Sequence, residues 1–469
     1  MKMRSVSKIL SILILLLCLV LAFSGCVGLT FTAATGTSDG TADASLTPDG
    51  TETASATDSE TAKGLIDLLA ESGEIPEYNS SVLSRMDLYY QAYYVGDLGT
   101  PSEMAEAILG FYREYRAEID ETDSDEVTDL LCECYLAAAG DRYAYYMNPE
   151  ALADYNSDLS GNYVGIGVQV SYDAIERTIT VTAVFPDTPA DEAGVLAGDL
   201  IEAVGETPIS EISFYEAVNR IRGEEGTPVT LTISRDGESY TRTMIRRSVV
   251  QVTAMTRELT TAPEIGVLRI YEFDETTEEQ FKTALDGLLA SGVAGIIFDV
   301  RNNPGGLLTT ILHILDYLVP DGTPLASYLY YDGSKESDSA KDGHQISSTL
   351  PIAVLCNANT ASAGELFTCA LQDYGKQGLL NVTVIGTVTF GKGTMQTMVS
   401  LPAGRATTIS IALYNPPYSD NYEGKGVTPD SVVELGEEVK NKSVYRLTEE
   451  EDAQLQAAIA AIRAASAGE

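Results

Sequence analysis

Apolar positions along this 469-residue chain change period twice, and each change marks a boundary. Leu83, Met86 and Tyr90 recur at helical spacing, and Met104, Ile108, Phe111 and Tyr115 follow at steps of three and four. Ahead of them, Thr100-Pro101-Ser102-Glu103 has the form of a capping box with proline at the first helical position. A further helix around residues 127–139 is expected to stop at Gly140. The stripe carrying Met104 and Ile108 reads as core or as a self-association face rather than a cofactor site. From Gly161 the period drops to two. Residues 164–170 and Thr178–Val184 alternate, 189–194 reads as a short helix, 198–204 as a strand, 213–222 as a helix, and 229–233 and 240–245 as strands around a turn at 235–238. After Gln251 the pattern becomes βαβ: a strand Ile265–Ile270, a helix over 277–289, a buried strand over 295–300, a glycine-rich turn and a helix over 307–319. Pro351–Cys356 is another buried strand, and small residues separate it from the helix that Glu365-Leu366-Phe367 opens.

The chain's beginning reads as targeting. Lys2, Arg4 and Lys8 precede an apolar run over 9–23 that, at about 15 residues, is short for a spanning helix of roughly 20. Ser24-Gly25-Cys26 has the form of the end of a bacterial lipobox, so Cys26 is the expected lipidation site and the extracytoplasmic face of a bacterial membrane the expected location. Secretion and an uncleaved anchor are the alternatives. Residues 30–62 are almost wholly Thr, Ala, Ser, Gly and Asp, which bury too little apolar surface to order, so 26–62 is expected to be a tether. The formal net charge of −40 becomes −43 once the three leading basic residues are removed, a field that repels nucleic acid. Of the six cysteines, Cys132, Cys134, Cys356 and Cys369 lie outside the leader, with no metal-type spacing; buried thiols are expected.

Chemistry concentrates in two stretches, Asn357-Ala358-Asn359-Thr360-Ala361-Ser362-Ala363-Gly364-Glu365 and Gly391-Lys392-Gly393-Thr394-Met395-Gln396. Ser362 is placed near a helix N-terminus, where free N–H groups can hold an oxyanion. The two histidines, His313 in a helix and His344 in the polar loop 334–347, have no catalytic surroundings, so a Ser/His/Asp triad is poorly supported. Lysine serves as base when burial lowers its pKa, and Lys392 between glycines after Val388 and Phe390 can be turned inward. Gln396 can orient the amine without adding charge. The turn Asn302-Asn303-Pro304-Gly305-Gly306 lacks the Lys-Ser/Thr pair of a nucleotide loop; Gly305 or Gly306 as oxyanion donor, or a plain turn, are its readings.

The element order of residues 161–250 resembles a PDZ domain. Gly165-Ile166-Gly167-Val168 matches its carboxylate loop, and a bound peptide would add beside 168–170, facing Phe214, Ala217, Val218 and Ile221. Arg222 is either a gating residue or a cap on that helix's C-terminus, the cap being the plainer reading. Together with Gly426-Val427-Thr428-Pro429-Asp430, the serine, lysine and glycine motifs resemble the carboxy-terminal processing, or tail-specific, serine proteases over roughly residues 124–435. That resemblance implies an α/β multidomain fold: a Clp/crotonase-like protease core with an inserted PDZ-like β-rich domain and an N-terminal helical region. The expected divisions are a signal peptide 1–25, the tether 26–62, helices 63–160, PDZ 161–250, catalytic core 251–445 and a C-terminal helix 446–469. It implies a Ser362/Lys392 pair supported by Gln396, an oxyanion hole of the Gly306 and Ala363 amides, and no metal or nucleotide cofactor. Protein or peptide substrates with exposed C-terminal tails are the expected partners, with membrane attachment by the lipid anchor and a homodimer through the N-terminal helices. The rivals are a catalytically silent PDZ-bearing scaffold and a crotonase-like acyl-transfer enzyme.

Overall fold

The computed structural model describes residues 63–159, 162–173, 178–212, 214–235, 237–440, 442 and 444–467. The expected signal peptide, Cys26 and the tether lie outside these residues. Its centre is a six-stranded sheet in the order Ala254–Arg257, Ile265–Ile270, Gly295–Asp299, Pro351–Cys356, Asn381–Gly386, Ser431–Val432. The first pair is antiparallel and the others parallel. Parallel strands need crossovers, and the helices Thr277–Ser291, Leu308–Leu318 and Ala363–Lys376 supply them. Strand alternation explains why the central strands are apolar throughout. Ile296, Phe298, Ile352, Val354 and Cys356 pack with those helices, while Ile297, Ala353 and Leu355 pack against Leu455, Ala458, Ile459 and Ile462 of the C-terminal helix Ala453–Ala467.

A second, antiparallel sheet joins Tyr146–Met147, Arg405–Asn415, Pro324–Tyr330 and Lys335–Ser339, with Thr394–Leu401 also paired to Arg405–Asn415. The expected polar loop at 334–347 therefore contains a strand, because Lys335–Ser339 draws its stability from backbone pairing with Pro324–Tyr330 and needs no apolar side. The inserted unit has its own antiparallel sheet, running from Val168–Asp173 through Thr178–Val184, Leu200–Val204 and Pro228–Arg235 to Glu238–Ile245, and its own core around Ile179, Ile201, Leu231 and Ile233. Chain entry and exit pair with each other as the ribbon Asn162–Gly165 with Arg247–Val250. The continuous strand expected over 164–170 is thus two, broken at Ile166 and Gly167.

The N-terminal helices are continuous with the catalytic-side core. The capping box forms, with Thr100 N bonded to Glu103 Oε2 at 2.8 Å and Glu103 N to Thr100 Oγ1 at 3.3 Å. Met104 and Ile108 are buried inside the chain, and Phe111 and Tyr115 pack against the same cluster. This leaves the expected homodimer without the surface that suggested it.

Beneath the parallel sheet's carboxyl end lies a buried ionic cluster. Asp299 accepts from Arg269 Nε (3.1 Å) and from Arg301 Nε and Nη2 (2.9 Å each), and Arg301 Nη1 reaches Asp452 at 2.9 Å. Burial raises the Asp299 pKa, but the two guanidiniums outweigh it and hold the carboxyl well below its usual range. Removing that carboxylate takes from buried Arg269 its ion-pair partner and leaves Arg301 with Asp452 as its remaining carboxylate. Asp299→Ala should therefore cost about 3–5 kcal/mol, read as a lowered denaturant midpoint with little change in slope.

Candidate active site

Two asparagine-rich turns at the sheet's carboxyl edge are laced together. Asn302 Oδ1 accepts from Asn357 Nδ2 (2.8 Å) and Asn359 Nδ2 (3.1 Å), and Asn302 N donates to Asn357 Oδ1 (3.0 Å). Asn303 binds Ile270 O through Nδ2, accepts Gly305 N at Oδ1 and receives Ala361 N at its carbonyl. Thr360 Oγ1 donates to Val300 O at 2.8 Å. These side chains fix the glycine turn against the residues just before Ser362.

Ser362 is the junction from turn to the helix Ala363–Lys376, with φ 52° and ψ −119°, a conformation that strains a non-glycine residue. It is 5 % exposed. Gly305, at φ 107°, lies against it so closely that a Cβ there would stand 2.7 Å from Ser362 Cβ and 2.9 Å from Ala363 N. Gly306 is equally constrained, since its Cβ would meet Phe273 O at 2.1 Å. Phe273 N bonds Gly305 O and Leu307 N bonds Phe273 O, a pairing that passes over the Gly306 N–H. Ala363 N–H opens a helix and so has no intrahelical acceptor. A glycine amide and a helix-terminal amide are thereby gathered beside Ser362, an arrangement suited to a developing oxyanion.

Glu365 joins the serine and lysine segments. Its Oε2 accepts Ser362 N at 3.0 Å and Lys392 N at 2.8 Å, while Oε1 accepts Gly391 N at 2.6 Å and Thr389 Oγ1 at 2.5 Å. Burial raises the pKa of this carboxyl, opposed by those four donors. Lys392 Nζ donates to Gln396 Oε1 at 2.9 Å, and Tyr414 OH donates to Lys392 O at 2.9 Å. Gln396 is buried, and its Nε2 has no partner. Beside Ser362 lies a shallow recess, lined by Gly306, Leu308, Ala363, Thr394, Met395 and Tyr414.

Of the residues expected to act, Ser362, Ala363 and Gly306 meet at this recess, and Lys392 and Gln396 are hydrogen-bonded to each other. Gly165, Ile166, Gly167 and Val168 lie in the inserted unit, at the start of its edge strand Val168–Asp173. Gly167, at φ 81°, has no room for a Cβ, which would meet Thr188 at 2.3 Å. Arg246 binds Arg220 O and Ile221 O at the end of the helix Phe214–Ile221. The Arg222 guanidinium sits 5.0 Å from the ring of Tyr163, in the connecting ribbon. His313 Nδ1 lies 2.7 Å from Glu278, and His344 stacks on Tyr317 with ring centroids 3.7 Å apart. The four described leader-free cysteines are buried thiols. Glu365 received no role from the sequence, although its three-residue spacing from Ser362 is that of a capping pair and could have disclosed it.

The chain is similar to known proteins. A model of peptidase family S41 matches residues 264–433, and one of the PDZ domain matches 180–235. A carboxy-terminal-processing protease of Bartonella bacilliformis is 35 % identical over 303 residues, covering 63 % of this chain and 67 % of the relative. The carboxy-terminal processing protease CtpA of Bacillus subtilis is 31 % identical over 319 residues, covering 68 % and 66 %. This chain thus spans about two thirds of the length of these relatives. Among solved structures, a photosystem II D1 C-terminal processing protease aligns with TM-score 0.49 at 25 % identity, over 79 % of this chain and 94 % of that one.

Exchanging Glu365 for glutamine would replace one acceptor oxygen by an NH₂ facing backbone donors. Glu365→Gln should cost about 1–3 kcal/mol of stability and, by displacing both segments, about a hundredfold in turnover of a peptide substrate. Thermal unfolding and steady-state kinetics on the same preparation measure the two effects.

Proposed function

The chain belongs to the carboxy-terminal-processing proteases of peptidase family S41, which are serine-type peptidases, and from that premise we propose that it is an extracytoplasmic endopeptidase acting on unstructured C-terminal tails. The observation that carries the reading is the single buried carboxylate holding the backbone of both Ser362 and Lys392. Lys392 Nζ takes the Ser362 hydroxyl proton while the Oγ pair forms a bond to the scissile carbonyl carbon and the carbonyl π pair moves onto oxygen. The Gly306 and Ala363 amides receive that oxyanion. The ammonium returns its proton to the leaving amine as the C–N bond breaks, and water then releases the acyl group by the same route.

Substrate tails enter through the PDZ unit. Its edge strand Val168–Asp173 has one side open to β-augmentation, and Phe214 and Val218 of the neighbouring helix are partly exposed. Gly165-Ile166-Gly167-Val168 receives the terminal carboxylate, and Arg222, seated on the ribbon residue Tyr163, is the gating candidate. Lipidation of Cys26 tethers the enzyme to the outer face of a bacterial membrane, a reading supported by the basic and apolar pattern of residues 2–26.

Ser362→Ala and Lys392→Ala should each lower kcat by about 10⁴-fold or more, with the fold retained. Full cleavage of an unfolded protein by the serine variant would remove the proposal. Gly167 is a poor probe of the PDZ unit because any side chain there collides with Thr188. The better one is Val218→Asp, which should raise KM for peptides with apolar C-terminal tails by about tenfold, the cost of roughly 1.4 kcal/mol of lost contact. Cleavage of short untailed peptides should stay unchanged; an equal loss on both would exclude tail recognition at this groove.

A further inference from the structure

Residues 141–146 have no part in the mechanism above, yet they touch the lysine loop at several points. The ring centroid of Tyr143 lies 5.2 Å from Lys392 Nζ, within cation–π reach. Its single hydroxyl hydrogen is shared between Glu423 Oε1 at 2.8 Å and Gly391 O at 3.1 Å. The second oxygen of Glu423 accepts Gly393 N at 2.7 Å. Tyrosine and glutamate thereby grip the backbone on both sides of Lys392. The segment bearing Tyr143 is itself anchored. Asp141 accepts Ser410 N and Oγ at 2.9 and 2.7 Å, Tyr145 N donates to Thr408 Oγ1 at 3.0 Å, and Tyr146 and Met147 pair with Thr407 and Ala406.

We propose that Tyr143 is a positioning residue for Lys392: its hydroxyl, with Glu423, fixes the flanking glycines, and its ring receives the ammonium formed when Lys392 takes the Ser362 proton. The inference rests on the Ser362/Lys392 reading. As the Oγ–C bond forms, the proton moves from Oγ to Nζ and a positive charge appears on a partly buried nitrogen, which burial disfavours. Gln396 Oε1 answers with one dipole. The face of an aromatic ring adds attraction without a full negative charge, so the proton is still released to the leaving amine. Other groups bear on the same site. The field of Lys392 reaches Asp141. Glu365 holds Lys392 N, Glu423 holds Gly393 N, Tyr414 binds Lys392 O, and the Arg142 guanidinium lies 4.8 Å from the Tyr143 ring. Each is present in every variant below, and Glu423 and Gly391 O lose the Tyr143 hydroxyl in all three alike.

The test is kcat/KM against pH on the full chain with a tailed peptide, for wild type, Tyr143→Phe, Tyr143→Leu and pentafluorophenylalanine at position 143. The last keeps ring shape and reverses its electrostatics, so it reports even if the leucine variant folds poorly. Lys392 acts when neutral, so activity rises with pH through its pKa. Losing an attraction for the ammonium lowers that pKa. The acid limb should therefore move to lower pH by about 0.4 to 1.5 units in the leucine and fluorinated variants, while the plateau falls several-fold. Tyr143→Phe lacks the hydroxyl as the other two variants do, so it should lower the plateau, and its acid limb is the reference from which the shifts of the leucine and fluorinated variants are read. An acid limb that stays in place in both the leucine and fluorinated variants overturns the inference, whatever the plateau does. Activity surviving in Lys392→Ala would instead overturn the Ser/Lys reading on which it rests.

Discussion

One buried carboxylate organises this site. Glu365 is fully buried and takes two donors at each oxygen, three of them backbone N–H groups. An ionised carboxylate is acceptor-only with about four lone-pair positions, so the constellation saturates it. Desolvating the charge is costly, and charge-assisted bonds of about 1.5–3 kcal/mol each offset that cost. The result is geometric. Ser362 opens the helix, Lys392 sits in a loop after the next parallel strand, and one rigid group of atoms fixes the backbone of both.

The other motifs serve that contact at one remove. Thr389, which donates to Glu365, accepts Val427 N at 2.6 Å and gives its own N–H to Val427 O at 3.2 Å. A Cβ on Gly426 would meet Thr389 O at 2.2 Å, which explains the glycine that begins Gly426-Val427-Thr428-Pro429-Asp430. Asp430 then ties Gln372 of the serine's helix to Val384 of the adjoining strand, at 2.8 and 2.9 Å. On the other side, Arg301 and Asp299 hold the strand end from which the oxyanion turn departs. The oxyanion-side and serine turns follow the successive parallel strands Gly295–Asp299 and Pro351–Cys356, at the carboxyl edge where such folds carry their sites. Residues 426–430 lead into Ser431–Val432, and 394–396 open a strand of the antiparallel sheet.

Elements whose stability is written into local pattern were legible. The strands Ile265–Ile270 and Pro351–Cys356 have the bounds that their apolar runs predict, and the helix after Thr100 has its capping box. Lys335–Ser339 was not legible, because its side chains carry no strand signal and its partner is supplied by tertiary structure. Ser362 and Lys392 stood out as candidates because they lie in motifs that resemble those of a known family. The supporting roles of Asn303, Tyr143 and Glu423 were not, since each acts across long sequence separations through backbone atoms that bear no residue-specific mark.

A lysine base imposes a constraint that a histidine base does not. Its proton must leave readily, so negative charge near it has to be answered by other donors, a demanding condition in a chain of net charge −40. The acids around the loop meet it in one way. Glu365 is engaged by three backbone amides and a threonine hydroxyl, Glu423 by Gly393 N and Tyr143 OH, and Asp141 by Ser410 N and Oγ. Each carboxylate is thereby turned toward dipoles, and the side chain bonded to the amine is the neutral amide of Gln396. The same carboxylates order the loop that presents the lysine. Structural rigidity and a transferable proton therefore have a common source: acids that bind the backbone around Lys392 and leave a neutral oxygen to face its nitrogen.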